Sequence, residues 1–238
     1  MAKKKIIPAE SAVKDISGGM SPEYPAAKYK LAPDIAAELN IFEGRLSVCE
    51  KCPPDFFKRL VMDSGLGHFG AYSSIIQRLE EFEKIAAGKD GRVTLALLDD
   101  TTIVGYLACR RPEPDERWAK MSRLMYELAA IEVSRNFREH RLAGRMLKTV
   151  LSEPFIEDKI AYMNGYAWTW DVENSGRMLA EYRDVHLKLL GPYDFQEFYT
   201  NEPNIRLRDE NIFMARIGAR ISPEDRKRFK RLLLGITD

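Results

Sequence analysis

Cysteine and histidine are scarce in this 238-residue chain, with three of each. Three thiols in a chain of this length do not make the disulfide framework that staples small secreted domains, so a reducing compartment is expected. Cys49 and Cys52 have the spacing of half a zinc knuckle. The other half is missing, because Cys109 and the histidines His68, His140 and His186 lie far apart without ligand spacing. The thiols are therefore read as structural, and no metal site is expected. Nor is there an apolar run near the ~18 residues that a membrane span needs. The basic start Met1-Ala2-Lys3-Lys4-Lys5 leads into Ile6-Ile7-Pro8-Ala9-Glu10 rather than a signal-peptide core, so the expectation is a cytoplasmic protein without a membrane partner. An excess of one charge is also absent. Lys plus Arg number 37 and Asp plus Glu 36, which gives no electrostatic reason to expect nucleic-acid binding.

What the chain does have is apolar content of 45%, aromatic content of 10% and charged content of 31%, the balance of a globular protein with a real core. Its length suits one large domain, or one domain with appendages. Residues 1–43 are rich in Pro, Ala, Lys and Ser, interrupted by Gly18-Gly19, Pro22, Pro25 and Pro33, and read as an N-terminal arm. Residues 44–220 read as the domain, and residues 221–238 as a C-terminal helix.

Within the domain, Arg45–Cys49 alternates like a strand, and Pro53-Pro54 opens a predicted helix through Met62. Ile75, Ile76, Leu79, Phe82, Ile85 and Ala86 fall on one helical face. The runs 92–98 and 102–109 make a hairpin around Asp99-Asp100-Thr101. An insertion, 112–120, precedes a strand at 126–133. A helix is marked by Leu142, Met146, Leu147, Val150 and Leu151, a strand is predicted through Tyr166–Trp170, and a helix over 178–190. Strands near 195–200 and 211–217 follow, then a helix over 223–234 with Ser222 as its N-cap. This mixed order implies an α/β domain built on a single mixed twisted β-sheet flanked by helices.

The segment richest in chemistry is 131–147. A strand ends at Val133, a basic loop carries Arg135 and Arg138, and a helix begins among small residues at Ala143 and Gly144. Backbone N–H groups at such a helix start, with the helix dipole behind them, suit a pyrophosphate. An ordinary strand-to-helix turn on a solvated loop fits the same spacing.

The segment resembles the acetyl-CoA-binding motif of the GNAT family of N-acetyltransferases: Arg or Gln, two variable residues, Gly, one variable residue, then Gly or Ala. Arg138, Arg141 and Ala143 occupy its marked positions, and Arg141 stands where the family has Gly. Further stretches narrow the resemblance to the acetoin-utilization acetyltransferases of bacteria. They are Thr102-Ile-Val-Gly-Tyr106, Pro112-Glu-Pro-Asp-Glu-Arg-Trp118, Glu127–Val133, Trp168-Thr-Trp-Asp171, Glu181-Tyr-Arg183, Asn201-Glu-Pro203 and Met214-Ala-Arg-Ile-Gly218.

That resemblance implies the GNAT fold and transfer of acetyl from acetyl-CoA to a lysine of a protein, with acetyl-CoA synthetase as the substrate. It implies that backbone groups at Ile131, Glu132 and Val133 hold the pantetheine arm. The motif loop Arg138-Glu139-His140-Arg141-Leu142-Ala143-Gly144 would hold the pyrophosphate. Counted back from Arg138, Glu127 falls at the family's base position. Period-two alternation groups Glu127 with Ala129, Ile131 and Val133 and puts Glu132 on the other face. Glu132 is the substitute base if the faces are reversed, and a strand-end Glu127 paired with an arginine is the structural alternative. Tyr182 or Tyr199 would protonate the leaving thiolate. Trp118, Trp168 and Trp170 read as packing. A GNAT enzyme for a small amine and a non-catalytic acyl-CoA-sensing module remain alternatives, and the oligomeric state is open.

Overall fold

In the computed structural model the described residues are 32–69, 72–73 and 78–236, with only the backbone described at 68–69 and 72–73. The strands are β1 (Asp34–Ile41), β2 (Gly44–Glu50), β3 (Val61–Met62), β4 (His68–Phe69), β5 (Tyr72–Ser73), β6 (Arg92–Leu98), β7 (Thr102–Arg110), β8 (Met125–Val133), β9 (Ile160–Gly165), β10 (Gln196–Glu197) and β11 (Ile212–Ile217). The α-helices are α1 (Leu79–Ala87), α2 (Leu142–Leu151), α3 (Val172–Ser175), α4 (Leu179–Leu190), α5 (Pro203–Arg206) and α6 (Pro223–Leu233). Among the described residues one mixed sheet runs β1-β2-β6-β7-β8-β9-β11-β10, with β3 parallel beside β7, while β4 and β5 form a separate hairpin. The expected α/β architecture, a single mixed sheet flanked by helices, is the one observed.

The two faces of the sheet bury different cores. On one, Leu107, Cys109, Tyr126 and Leu128 meet the apolar stripe of α2, formed by Leu142, Met146, Leu147 and Val150. On the other, Val93, Leu95, Tyr106 and Ala108 pack with Phe82 of α1, with Phe57 and with the buried thiols Cys49 and Cys52. A third cluster joins Trp118, Tyr162 and Phe213 to Phe229 and Leu232 of α6, with the rings of Trp118 and Phe213 stacked 4.5 Å apart. The insertion thus contributes a core tryptophan. Ser222 caps α6, accepting from the Asp225 N–H at 3.1 Å.

Several expectations change. Asp34–Ile41, inside the segment read as an arm, is the first strand of the sheet, paired along its length with β2; residues 1–31 lie outside the described residues. The Pro53-Pro54 segment makes a single 3-10 stretch, Pro54–Arg59, and does not continue as a helix through Met62, because Leu60 is extended and Val61–Met62 pairs with β7 as β3. Ile75 and Ile76 also lie outside the described residues, and α1 begins at Leu79. The strand expected at Tyr166–Trp170 lies upstream, as β9. The aromatic run itself is a turn in which Tyr166 and Trp168 stack 4.7 Å apart. The strand expected near 195–200 is reduced to Gln196–Glu197.

Candidate active site

The site begins at an interruption in β8. Its pairing with β7 runs Tyr106↔Glu132, Leu107↔Ile131 and Ala108↔Ala130, then shifts to Cys109↔Leu128 and Arg110↔Glu127, which leaves Ala129 as an extra residue, a β-bulge. A bulge bends and twists the strand that carries it. On the opposite edge β8 pairs in parallel with β9 only at Met125↔Ile160, Tyr126↔Ala161 and Glu127↔Tyr162. Beyond Glu127 the two strands diverge, β8 staying with β7 and β9 with β11. The result is a wedge that opens from the bulge.

The bulge corrects the alternation argument. Without it, Glu127 and Glu132 would point to opposite faces. With Ala129 added, both lie opposite alternate residues of β7, Arg110 and Tyr106, and so share the face turned away from α2. The Tyr106 hydroxyl donates to Glu132, and the Gly67 N–H donates to Glu132 Oε1 at 2.8 Å. Arg110 Nε donates to Glu127 Oε2 at 2.9 Å, and the same guanidinium also holds Glu113. Both carboxylates are buried, Glu127 being 6% exposed and Glu132 8%. Burial, reinforced by the nearby Glu116, outweighs the Arg110 ion pair and pushes the Glu127 carboxyl up to about 7.

A cavity of about 420 Å³ fills the wedge. One wall is β8 from Leu128 to Val133, and another is the end of β9 with Thr169 and Trp170. A third is α4, through Tyr182, Val185, His186 and Leu189. Its mouth is the start of α2, with Arg138, Arg141, Leu142 and Ala143. By helix geometry the first N–H groups of α2 have no partner inside the helix, and Arg141, the residue before it, caps none of them with its side chain. A Cβ built on Gly144 would meet nothing closer than the Tyr193 hydroxyl at 4.0 Å, so the helix start is open on that side.

Arg141 holds the position where the motif has Gly, and its backbone is left-handed, with φ 55° and ψ 31°. That conformation explains the motif's glycine, the residue that adopts it without steric cost. Here an arginine takes it, and the loop geometry is kept. Arg138 turns toward the far wall, where it pairs with Asp171, a residue 1% exposed that also accepts from Asn174 at 2.6 Å. The ion pair ties the motif loop to the segment after β9, across the mouth of the wedge.

Of the residues proposed from sequence, Ile131, Glu132, Val133, Arg138, Arg141, Leu142, Ala143 and Tyr182 all line this cavity. Glu127 stands at its apex, where the pairing of β8 with β9 ends. Glu139 and His140 belong to the 3-10 turn before α2 and are not among the lining residues. Tyr182 stacks on Trp170 at 5.5 Å, and burial raises its hydroxyl above the usual tyrosine range. Tyr199, the other tyrosine considered, is 66% exposed, outside the cavity. Sequence reasoning passed over His186, Asn164 and Asp171. His186 had one available signal, its i+4 spacing from Tyr182 on a helix, which puts both on one face.

No family model matches the chain. The acetoin utilization protein AcuA of Bacillus licheniformis is 36% identical over 155 residues, covering 64% of this chain and 73% of the relative. That of Bacillus subtilis is 34% identical over the same shares. The crystal structure of an acetoin utilization protein from Exiguobacterium sibiricum superposes with a TM-score of 0.76 at 28% identity, covering 84% of this chain and 93% of that one.

Proposed function

This chain belongs to the AcuA family of acetoin utilization proteins, and we propose that it is an acetyl-CoA-dependent N-acetyltransferase acting on a lysine of a protein. Acetyl-CoA synthetase is the substrate that the family resemblance suggests. The observation that carries the reading is the wedge between β8 and β9, with the open N-terminus of α2 at its mouth and a buried carboxyl at its apex. The helix start supplies N–H donors for a pyrophosphate, and Arg141 adds charge beside them. The diverging strand supplies backbone groups for the pantetheine arm, which directs the thioester toward the apex.

A lysine ammonium, with a pKa near ~10.4, must lose a proton before it attacks. Glu127 is the proposed base: at about 7, its carboxyl is substantially ionised at neutral pH and basic enough to accept that proton directly or through one water. The amine nitrogen then bonds to the acetyl carbon, and a backbone N–H near Val133 stabilises the oxyanion. The nitrogen then gives up its second proton to solvent; as the carbon–sulfur bond breaks, the Tyr182 hydroxyl, which burial keeps protonated, gives its proton to the leaving sulfur and regains one from solvent. Glu132, engaged by Tyr106 and by the Gly67 N–H, is cast as the group that holds the loop 63–67 against β8.

The test is incubation of the protein with acetyl-CoA and purified acetyl-CoA synthetase, followed by mass spectrometry of the lysines. A single dominant acetyl-lysine that depends on the enzyme supports the reading. Absence of enzyme-dependent acetylation, with acetyl-CoA bound, would contradict the reading and leave the small-amine acetyltransferase and the sensing module.

A further inference from the structure

The Glu127 carboxyl is gripped on one side only. Arg110 stands directly opposite it in the register of β7 with β8, and its Nε donates to Glu127 Oε2 at 2.9 Å. Glu127 Oε1 accepts no hydrogen bond among the described residues. Nor is it fully enclosed, in contrast to the orphaned Asn164 Oδ1, which has lost its accessible surface. An arginine often meets a carboxylate with two parallel N–H donors and so occupies both oxygens. Here Nη1 of the same guanidinium is engaged by Glu113 instead.

Glu113 belongs to the insertion, 112–120, and so does Glu116. The Tyr162 hydroxyl donates to Glu116 Oε2 at 3.3 Å, and Tyr162 is the β9 partner of Glu127. The insertion thus brings Glu116 to the β9 side of Glu127, while β7 brings Arg110 to the other. The further titratable groups near Glu127 are Cys109 of β7, Tyr162 of β9 and Tyr166 of the turn after it. Burial raises all three above their ordinary values, so they carry no charge at neutral pH. The charges that remain are one cation, Arg110, and two anions, Glu113 and Glu116.

A cation beside a carboxyl favours its ionised form, and an anion disfavours it. Arg110 and Glu116 therefore act on Glu127 in opposite directions. A doubly bonded arginine would leave no oxygen for a substrate proton, and a buried carboxyl with no cation would stay protonated well above neutral pH.

We infer that Arg110 and Glu116 are positioning residues that act on the acetyl transfer through Glu127: Arg110 holds Oε2 and leaves Oε1 to the incoming amine, and Glu116 opposes the charge of Arg110. The inference rests on the reading of Glu127 as the base. It gives the insertion a part in the reaction, beyond the tryptophan it lends to the core.

The test is the rate of acetyl-CoA synthetase acetylation from pH 6 to 9 at saturating acetyl-CoA, with CoA affinity titrated alongside, for wild type, Arg110→Met, Arg110→Lys and Glu116→Gln. In Arg110→Met the rise of rate with pH should move to higher pH by roughly one pH unit or more, and in Glu116→Gln it should move to lower pH. Arg110→Lys keeps the charge and should bring the rise back toward its wild-type position. CoA affinity should stay within about twofold of wild type in all three. With carbon-13-labelled glutamate, the Glu127 carboxyl of the full chain should titrate with the same displacements in the absence of substrate. Glu116 lies outside the strands, so Glu116→Gln carries the test if Arg110→Met fails to fold. A rise that keeps its wild-type position in both variants, or moves the same way in both, would overturn the inference, even with a rate lowered at every pH, as a purely structural ion pair predicts. Failure of wild-type protein to acetylate any lysine would overturn the acetyltransferase reading, and the inference with it.

Discussion

Arg141 and Glu127 are each held in a state that their type resists, and each can be tested by a single change. The left-handed backbone of Arg141 costs roughly 1–2 kcal/mol that glycine would not incur, although glycine also gains freedom in the unfolded chain. Arg141→Gly should therefore raise stability in urea by up to about 1 kcal/mol. If the guanidinium meets the phosphates, the same change should weaken CoA by roughly 5- to 10-fold. Stability and affinity would then move in opposite directions, and a variant less stable than wild type would contradict the strain argument. For Glu127, a folded value of about 7 against an ordinary 4.5 means that the folded state holds a proton the unfolded state has released between those limits. Its contribution to stability is fully present below the unfolded value and is lost as pH rises through the folded one. Wild-type protein should lose stability relative to Glu127→Gln between pH 5 and pH 8, by on the order of 1–3 kcal/mol. Urea midpoints of both proteins at the two pH values decide this, and a constant difference would contradict it.

At the scale of elements, the bulge at Ala129 and the start of α2 do most to shape the site. Ala143 lines the mouth of the cavity on the first turn of α2. Ala143→Trp should lower CoA affinity by tenfold or more, with the fold intact by circular dichroism; unchanged affinity would place the phosphates elsewhere. The elements with strong local signals were legible from sequence. The stripe of α2, the Ser222 cap of α6 and the hairpin of β6 and β7 all declare themselves through spacing that no tertiary contact overrides. Trp168 and Trp170 misled because aromatic residues favour strands, yet their rings here face a turn and α4. The bulge was not legible: nothing in Leu128-Ala129-Ala130 marks an extra residue, which shows only in register with β7. Consequently the motif loop could be placed from sequence, while the shared face of Glu127 and Glu132 could not. Asp171 was hidden for a related reason, since its partner Arg138 is distant in sequence and the two meet only across the wedge.

Over the whole molecule, the sheet is two blocks, β1-β2-β6-β7-β8 and β9-β11-β10, joined edge to edge by three paired positions. The wedge opens between them. The α2 face carries the features suited to phosphates, and both buried carboxylates sit on the opposite face. On the proposed function, the thioester lies at the junction, with CoA approaching from one side and the lysine from the other. Such an arrangement separates binding from chemistry, and Glu127→Gln tests that separation because it keeps the size of the side chain while removing its basicity. The decisive measurement is the steady-state rate of lysine acetylation by wild type and Glu127→Gln at saturating acetyl-CoA from pH 6 to 9, with CoA affinity titrated alongside. The account predicts a wild-type rate that rises with pH through about 7, a variant slower by roughly 10²–10⁴-fold, and CoA affinities within about twofold of each other. A variant that keeps most of the wild-type rate across that range would contradict it.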